Sequence, residues 1–329
     1  MINFDYVRPS TLKLAIDAKA KDPGARFIAG GTNLVDLMKK GVMSPHKLID
    51  ITKLPLAGIE EGAKSVRIGA LALNSDVARH KLITERFPLL SLALKAGASA
   101  QLRNMATVGG NLMQRTRCPY FYETSLPCNK RQPGSGCGAL KGYNRMHAIF
   151  GASESCIAVN PSDMNVALAA LDATVVVAGP KGERRIAFPD FHRLPGSAPE
   201  KDNTLGANEL IVAVEIPNTS SFTKTAYYNK IRDRASYAFA LVSVAVMLDV
   251  QNDRIRQARL ALGGVAHKPW RLTDTEAFLK GKQPSIDVFR QAAELSIKGA
   301  RTYGHNDFKP AMTRNAIVSS LKTVSGQSN

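Results

Sequence analysis

Cys118, Cys128, Cys137 and Cys156 are the only cysteines among 329 residues, spaced C-x9-C-x8-C-x18-C within one stretch. Random placement would rarely gather them there. Four thiols so grouped allow three chemistries. Two disulfides form if the protein matures in an oxidising compartment. A structural zinc ion also takes four ligands, but zinc sites usually bring C-x2–4-C pairs, and these are missing. A [4Fe–4S] cluster takes four thiolates and tolerates wide, irregular spacing. Seven Arg or Lys and one acid, Glu123, occupy residues 101–150. Of these, Arg115, Arg117, Lys130 and Arg131 flank the cysteines and would offset the charge of a thiolate-bound centre, or simply face solvent. His147 and His192 are potential ligands, but four cysteines already complete a cluster, so neither is assigned a role.

Two glycine loops form a second constellation, Ala29-Gly30-Gly31-Thr32-Asn33-Leu34 and Asn104-Met105-Ala106-Thr107-Val108-Gly109-Gly110-Asn111-Leu112. Paired glycines reach positive φ and let backbone N–H groups approach a ligand closely. Consecutive N–H groups with a helix N-terminus behind them make an anion nest. Neither loop has the Rossmann glycine spacing or the P-loop lysine. Singly, each Gly-Gly reads as a tight turn. Together, about eighty residues apart, they suit the two ends of one diphosphate.

Elements must position both constellations. Ser10 caps an expected helix at 11–20, ahead of Pro23-Gly24. Strands are expected at 26–29, 47–51 and 66–71, helices at 75–80 and 88–96, and a loop at 101–111. From 115 to 150 Cys, Pro, Gly, Tyr and Arg dominate and no apolar period survives. So long an irregular segment is unusual unless functional or tied down, and something other than a hydrophobic core is expected to hold it. Regular structure resumes with a strand at 156–159, a helix at 162–171 capped by Ser162, and a hairpin of 173–178 with 184–188. A strand at 209–217 follows. After residue 220 the pattern shifts to strands at 224–231, 238–250 and 254–265, then helices at 286–301 and 311–323. A domain boundary is placed near 220.

The formal net charge is +17. Such a field attracts phosphate, but the basic residues are scattered singly, without a Lys/Arg run or an aromatic-and-basic signature. A solvated basic surface, or docking to an acidic subunit, accounts for it better. The apolar run at 238–246 is broken by Ser243 and ends at Asp249, too short for a membrane span. The first six residues have neither a basic n-region nor an apolar h-region, so no secretory signal is expected on this chain.

The two glycine loops resemble the FAD-diphosphate loops of flavoprotein subunits in the xanthine dehydrogenase and carbon monoxide dehydrogenase family. Asn160-Pro161-Ser162-Asp163 is similar to the segment that precedes an alanine-rich helix in that family. Glu209-Leu210-Ile211, Val214-Glu215-Ile216-Pro217 and Lys230 within Tyr227-Tyr228-Asn229-Lys230-Ile231-Arg232 continue the match in family order. The resemblance implies an α+β fold: a vanillyl-alcohol-oxidase (PCMH)-type FAD domain of two lobes over 1–220, then a CO dehydrogenase flavoprotein-like C-terminal α/β domain over 221–329. By position, Ile28, Ala29, Gly30, Gly31, Thr32, Asn33 and Leu34, with Asn104, Thr107, Gly109, Gly110 and Asn111, would wrap the FAD diphosphate. Asp163 would bond the flavin or ribityl side, Ile211 would lie over the ring, and Lys230 would face its polar edge, where charge gathers on reduction. Without the motif order these three read as a helix-cap acid, a core residue and a surface lysine.

Roughly forty residues, about 114–156, intervene between the second loop and Asn160, and they carry the cysteines. This insertion resembles that of a minority branch, including periplasmic aldehyde oxidoreductases and 4-hydroxybenzoyl-CoA reductases, whose flavin subunits hold a [4Fe–4S] cluster. The resemblance ranks the cluster first, zinc second and disulfides third. It further implies a heterotrimer with a molybdenum-cofactor large subunit and a small subunit bearing two [2Fe–2S] clusters. Electrons would pass through the small subunit to FAD here and on to an external acceptor. No nicotinamide fingerprint is visible, so oxygen, a quinone or a protein is favoured over NAD. Export with a signal-bearing partner subunit to the periplasm is expected, otherwise residence in the cytoplasm. The rival reading is a basic, zinc-stabilised nucleic-acid-binding module.

Overall fold

A computed structural model describes residues 1–218, 222 and 225–326. The expected boundary at 220 and the first residue of the expected strand, Lys224, lie outside the described residues. Asp5–Val7, Lys47–Asp50 and Arg26–Ile28 form a small parallel sheet with Lys47–Asp50 in the middle. The helix Leu12–Lys21 packs beside it, and its cap is Thr11 rather than Ser10: the Thr11 hydroxyl accepts from the Leu14 N–H at 3.2 Å. A second, antiparallel sheet runs Ile59–Glu61, Ser65–Gly69, Leu210–Pro217, Thr174–Gly179 and Gly182–Ala187.

The third sheet is antiparallel in the order Trp270–Arg271, Arg254–Gly263, Val242–Gln251 and Ala226–Ile231. Its central strand is buried over eight consecutive residues, although side chains alternate between faces. Both faces are therefore covered. Val242, Val244, Val246 and Leu248 pack against Phe289, Ile317 and Leu321 of the C-terminal helices. Ala245 and Met247 join Leu90, Leu94 and Val166 of the first unit in one core. The helices Thr273–Leu279, Ile286–Ser296 and Lys309–Val324 lie to one side of this antiparallel sheet, so helix and strand are segregated in this unit, whereas strands and helices alternate around the small parallel sheet.

Two regions depart from expectation. The stretch 101–111 is not a plain loop: it holds the short helices Ala100–Arg103 and Val108–Leu112, capped by the hydroxyls of Ser99 and Thr107. Residues 156–159 form no strand; only an isolated bridge joins Ser153 to Cys156. The Ala158 N–H points at Cys156 Sγ and Asn160 N–H at Ala266 O instead.

Lys309 opens the last helix and is fully buried, donating to His147 O at 2.8 Å and Gly264 O at 2.7 Å. Burial, then the nearby Arg145 charge, pulls its ammonium from 10.5 down to about 7. Between these values the unfolded chain binds the extra proton, so stability rises with pH across that window. Replacing Lys309 by Met is expected to flatten the rise in urea midpoint between about pH 7 and pH 10; an unchanged pH slope would contradict it.

Candidate functional site

A cleft of about 710 Å³ runs between the small parallel sheet, the helix Pro88–Ala96 and the third sheet. This is the size class of a cofactor site. Ile28, Ala29, Gly30, Gly31, Thr32, Asn33 and Leu34 all line it, as do Thr107, Gly110, Asn111, Asp163 and Lys230. The two glycine loops touch through their backbones. A Cβ on Gly30 would fall inside the radius of the Met105 carbonyl oxygen, and Gly31 sits at φ +70°.

The loops contribute unequally. Among the described residues, the N–H groups of Gly30, Gly31, Thr32 and Asn33 have no partner, so the first loop is a nest open to an anion. In the second loop the Gly109 N–H donates to Ala70 O at 2.8 Å and the Gly110 N–H to Thr107 Oγ1 at 3.2 Å. That loop offers close approach rather than free donors, and Gly109 does not line the cleft; a side chain on it would press on Ala70. Asn104 is exposed and also lies outside the cleft lining. Asn33 accepts from the Arg115 N–H, leaving its buried amide nitrogen without a partner; the Asn74 side-chain oxygen is likewise orphaned at the cleft. Such orphans call for a polar ligand: the Asn33 amide donor, with the free loop N–H groups, fits a diphosphate, while the Asn74 oxygen accepts from a ligand O–H or N–H.

At the deep end a strand alternation sets the geometry. Tyr228 and Lys230 share one face of Ala226–Ile231, and Ser243 lies opposite Lys230 in the neighbouring strand. All three turn toward the N-terminus of the helix Asp163–Ala170, capped by Ser162. Lys230 Nζ meets Asp163 Oδ2 at 2.7 Å with the two side chains 4% and 8% exposed. Lys230 and Arg232 also donate to Ala96 O, at the C-terminal end of Pro88–Ala96, where the helix dipole welcomes cations. Ile211 is not brought to the cleft. Its strand is central in the five-stranded sheet, and its side chain is 3% exposed within the apolar core.

The four cysteines are free thiols lining one small cavity, with Tyr120, Phe121 and Lys130 beside them. Cys128 and Cys137 face each other across an isolated antiparallel bridge. Burial pushes the thiols of Cys118 and Cys156 up to about 12 and 11. Cys118 Sγ lies 3.1 Å from His147 Nε2. Among the described residues, no three His, Cys, Asp or Glu side chains come together as the ligands of a single metal ion. The flanking cations are committed elsewhere. Lys130, 2% exposed, pairs with Asp202 and donates to Pro199 O; Arg115 also pairs with Asp202. Arg117 pairs with Asp36, and Arg131 caps the carbonyls of Tyr120 and Phe121. Burial would raise the Asp202 carboxyl, but Lys130 and Arg115 overcome it and hold it at about 2.

Several residues on the cleft wall escaped the sequence reading, among them Arg26, Arg103, Asn74, Arg234, Tyr237 and Phe239. Only the motif-free but basic run Arg232, Arg234 offered a hint. Among the described residues no helix is long and apolar enough to cross a membrane.

The family "FAD binding domain in molybdopterin dehydrogenase" matches residues 2–219, and the "CO dehydrogenase flavoprotein C-terminal domain" matches 226–324. The chain is 47% identical over 327 residues to the aldehyde oxidoreductase FAD-binding subunit PaoB of Escherichia coli K12, covering 98% of this chain and 99% of that one. It is 28% identical to the glyceraldehyde dehydrogenase medium chain of Sulfolobus acidocaldarius, covering 88% and 85%. Among solved structures, carbon monoxide dehydrogenase of Hydrogenophaga pseudoflava superposes with TM-score 0.77 at 25% identity over 100% of both chains.

The loop contact makes Gly30→Ala a sharp probe: flavin retained after gel filtration is expected to fall to a trace, while a wild-type flavin content would refute the packing. Replacing Lys130 by Met removes one of the two cations on Asp202 and leaves Arg115, so the expected loss in denaturant stability is smaller than the about 3–5 kcal/mol of a fully broken buried pair; an unchanged urea midpoint would contradict it. Loops, cleft, both domain matches and full-length relatives agree, and the chain belongs to the family of FAD-binding medium subunits of molybdenum hydroxylases of the CO dehydrogenase type.

Proposed function

We propose that the chain is the FAD- and [4Fe–4S]-carrying electron-transfer subunit of a heterotrimeric molybdenum-containing aldehyde oxidoreductase. The observation that carries this is the convergence of all four cysteines on one cavity in a chain 47% identical, end to end, to a subunit named for aldehyde oxidoreduction. A cubane of iron and sulfide spreads its thiolates over the corners of a cube, wider than the ligands of one tetrahedral ion. Four thiols lining one cavity supply the number of thiolates that such a cluster takes. Cys118, Cys128, Cys137 and Cys156 would be the ligands.

Bound FAD supplies the exchange between one-electron and two-electron carriers. The chain's own residues prepare its place. The free amides of Gly30, Gly31, Thr32 and Asn33 receive the diphosphate, Gly110 and Asn111 close over it, and Lys230 presents a cation to the ring edge that becomes anionic. Electrons would enter from a small subunit with two [2Fe–2S] clusters, fed by the molybdenum subunit, and leave to oxygen, a quinone or a protein rather than NAD. The basic surface, +17 overall, suits an acidic partner face. Family membership leaves the nucleic-acid-binding alternative without support. Export to the periplasm on a signal-bearing partner completes the reading, and fractionation of cells making all three subunits tests it.

For the cluster, the purified complex is expected to contain one FAD and four iron atoms on this subunit beyond the four of the small one. Replacing Cys128 by Ser is expected to remove the extra iron while FAD stays bound; unchanged iron content would refute the ligand set.

A further inference from the structure

Asp163 stands between two spaces. One is the cofactor cleft. The other is a chamber of about 170 Å³ lined in part by Cys118, His147, Asp163, Ser243 and Phe239. Phe239, 43% exposed, stands at the rim of both. A hydrogen-bonded chain joins them. Tyr228 Oη lies 2.7 Å from Asp163 Oδ1 and 3.0 Å from Ser243 Oγ, while Lys230 Nζ holds Asp163 Oδ2 on the cleft side.

We propose that Ser243, Tyr228 and Asp163 form a proton relay from the chamber to the flavin ring in the cleft. The proposal rests on the FAD reading of that cleft. Two-electron reduction of a flavin takes up protons, and Asp163 and Lys230, at the deep end of the cleft, are almost wholly buried. The hydrogen-bonded side chains behind them offer a route for those protons from the chamber. Tyr228 has one proton and two neighbours. The carboxylate is the stronger acceptor, so Tyr228 donates to Asp163 and its free lone pair accepts from the Ser243 hydroxyl.

The transfer balances without any new reactant. A chamber water gives a proton to Ser243 Oγ as the Ser243 proton passes to Tyr228 Oη. The Tyr228 proton passes to Asp163 Oδ1 and neutralises the carboxylate, and Lys230 Nζ, its counter-charge gone, releases one proton into the cleft. Return of the carboxyl proton to Lys230 and rotation of the two hydroxyls reset the chain; the hydroxide left in the chamber is reprotonated from solvent, and the net change is one proton moved. Burial and the Asp163 charge raise Tyr228 well above its ordinary value, so the phenol carries protons without ionising. Ser243 has room to turn because its cross-strand neighbour is Gly263; a Cβ there would collide with the Ser243 hydroxyl.

The test uses the FAD-loaded full chain, reduced by dithionite in a stopped-flow instrument and followed by bleaching of the flavin's visible band. Tyr228→Phe keeps the ring in the core and removes only the hydroxyl; Ser243→Ala cuts the chain at the chamber end and leaves the Tyr228–Asp163 bond intact. Both are expected to bind FAD as the wild type does and to bleach roughly tenfold more slowly or worse. The slowed step is expected to show a larger solvent deuterium effect and to recover as imidazole buffer is raised. Wild-type rates in both variants would overturn the relay. So would slow bleaching insensitive to deuterium and buffer, which marks a structural role only. A wild-type chain that holds no flavin would instead overturn the cofactor reading, and the relay with it.

Discussion

The ion pair between Asp163 and Lys230 is the constraint on which the site depends. It joins the first turn of a helix from one unit to a strand of the other, and both charges are buried. Taking two charges out of water is costly unless every remaining valence is filled. Here most of them are filled. Asp163 spends its second oxygen on Tyr228, and Lys230 spends a second proton on the carbonyl of Ala96. The helix Pro88–Ala96, the helix Asp163–Ala170 and the strand Ala226–Ile231 are thereby fixed to one another where the cleft is deepest.

The cysteine-bearing insertion is organised by a different means. It has little apolar core of its own, apart from Phe121 and Cys128 packed on Leu37 and Val42. Polar side chains reaching backbone carbonyls hold it instead. Lys130 anchors it to Pro199 and Asp202, Arg131 gathers four carbonyls from 120–126, and Asn306 with Lys309 grip the carbonyls of His147 and Ala148. The thiols are thus presented by a frame that is already satisfied. Arg117, one residue before Cys118, pairs with Asp36 on the cleft wall, so the insertion and the cleft share a border.

Much of this was legible from residue types. The Gly30-Gly31 bend announced itself because few other residues allow such backbone approach, and Ser162 and Asp163 because a hydroxyl and an acid open a helix. The four cysteines were conspicuous through their confinement to one stretch. Other features depend on register, which a single strand does not reveal. That Tyr228 and Ser243 meet Asp163 follows from which residues sit opposite each other in the third sheet. Ile211 shows the converse: its position beside an acidic strand start is plain, but the side of the sheet it faces is decided by a bulge near Val176 and Val177. The short helices at 100–103 and 108–112 are too brief for any apolar period, and their caps alone could have disclosed them.

The third sheet has no face turned to water. One side rests on the C-terminal helices and the other on helices that come earlier in the chain. Neither unit can therefore be cut away without laying bare a wall of valine, alanine and methionine. The two sequence domains are a single object for the purposes of melting, expression and inheritance: they rise and fall together, and a gene that kept one half would keep an aggregate.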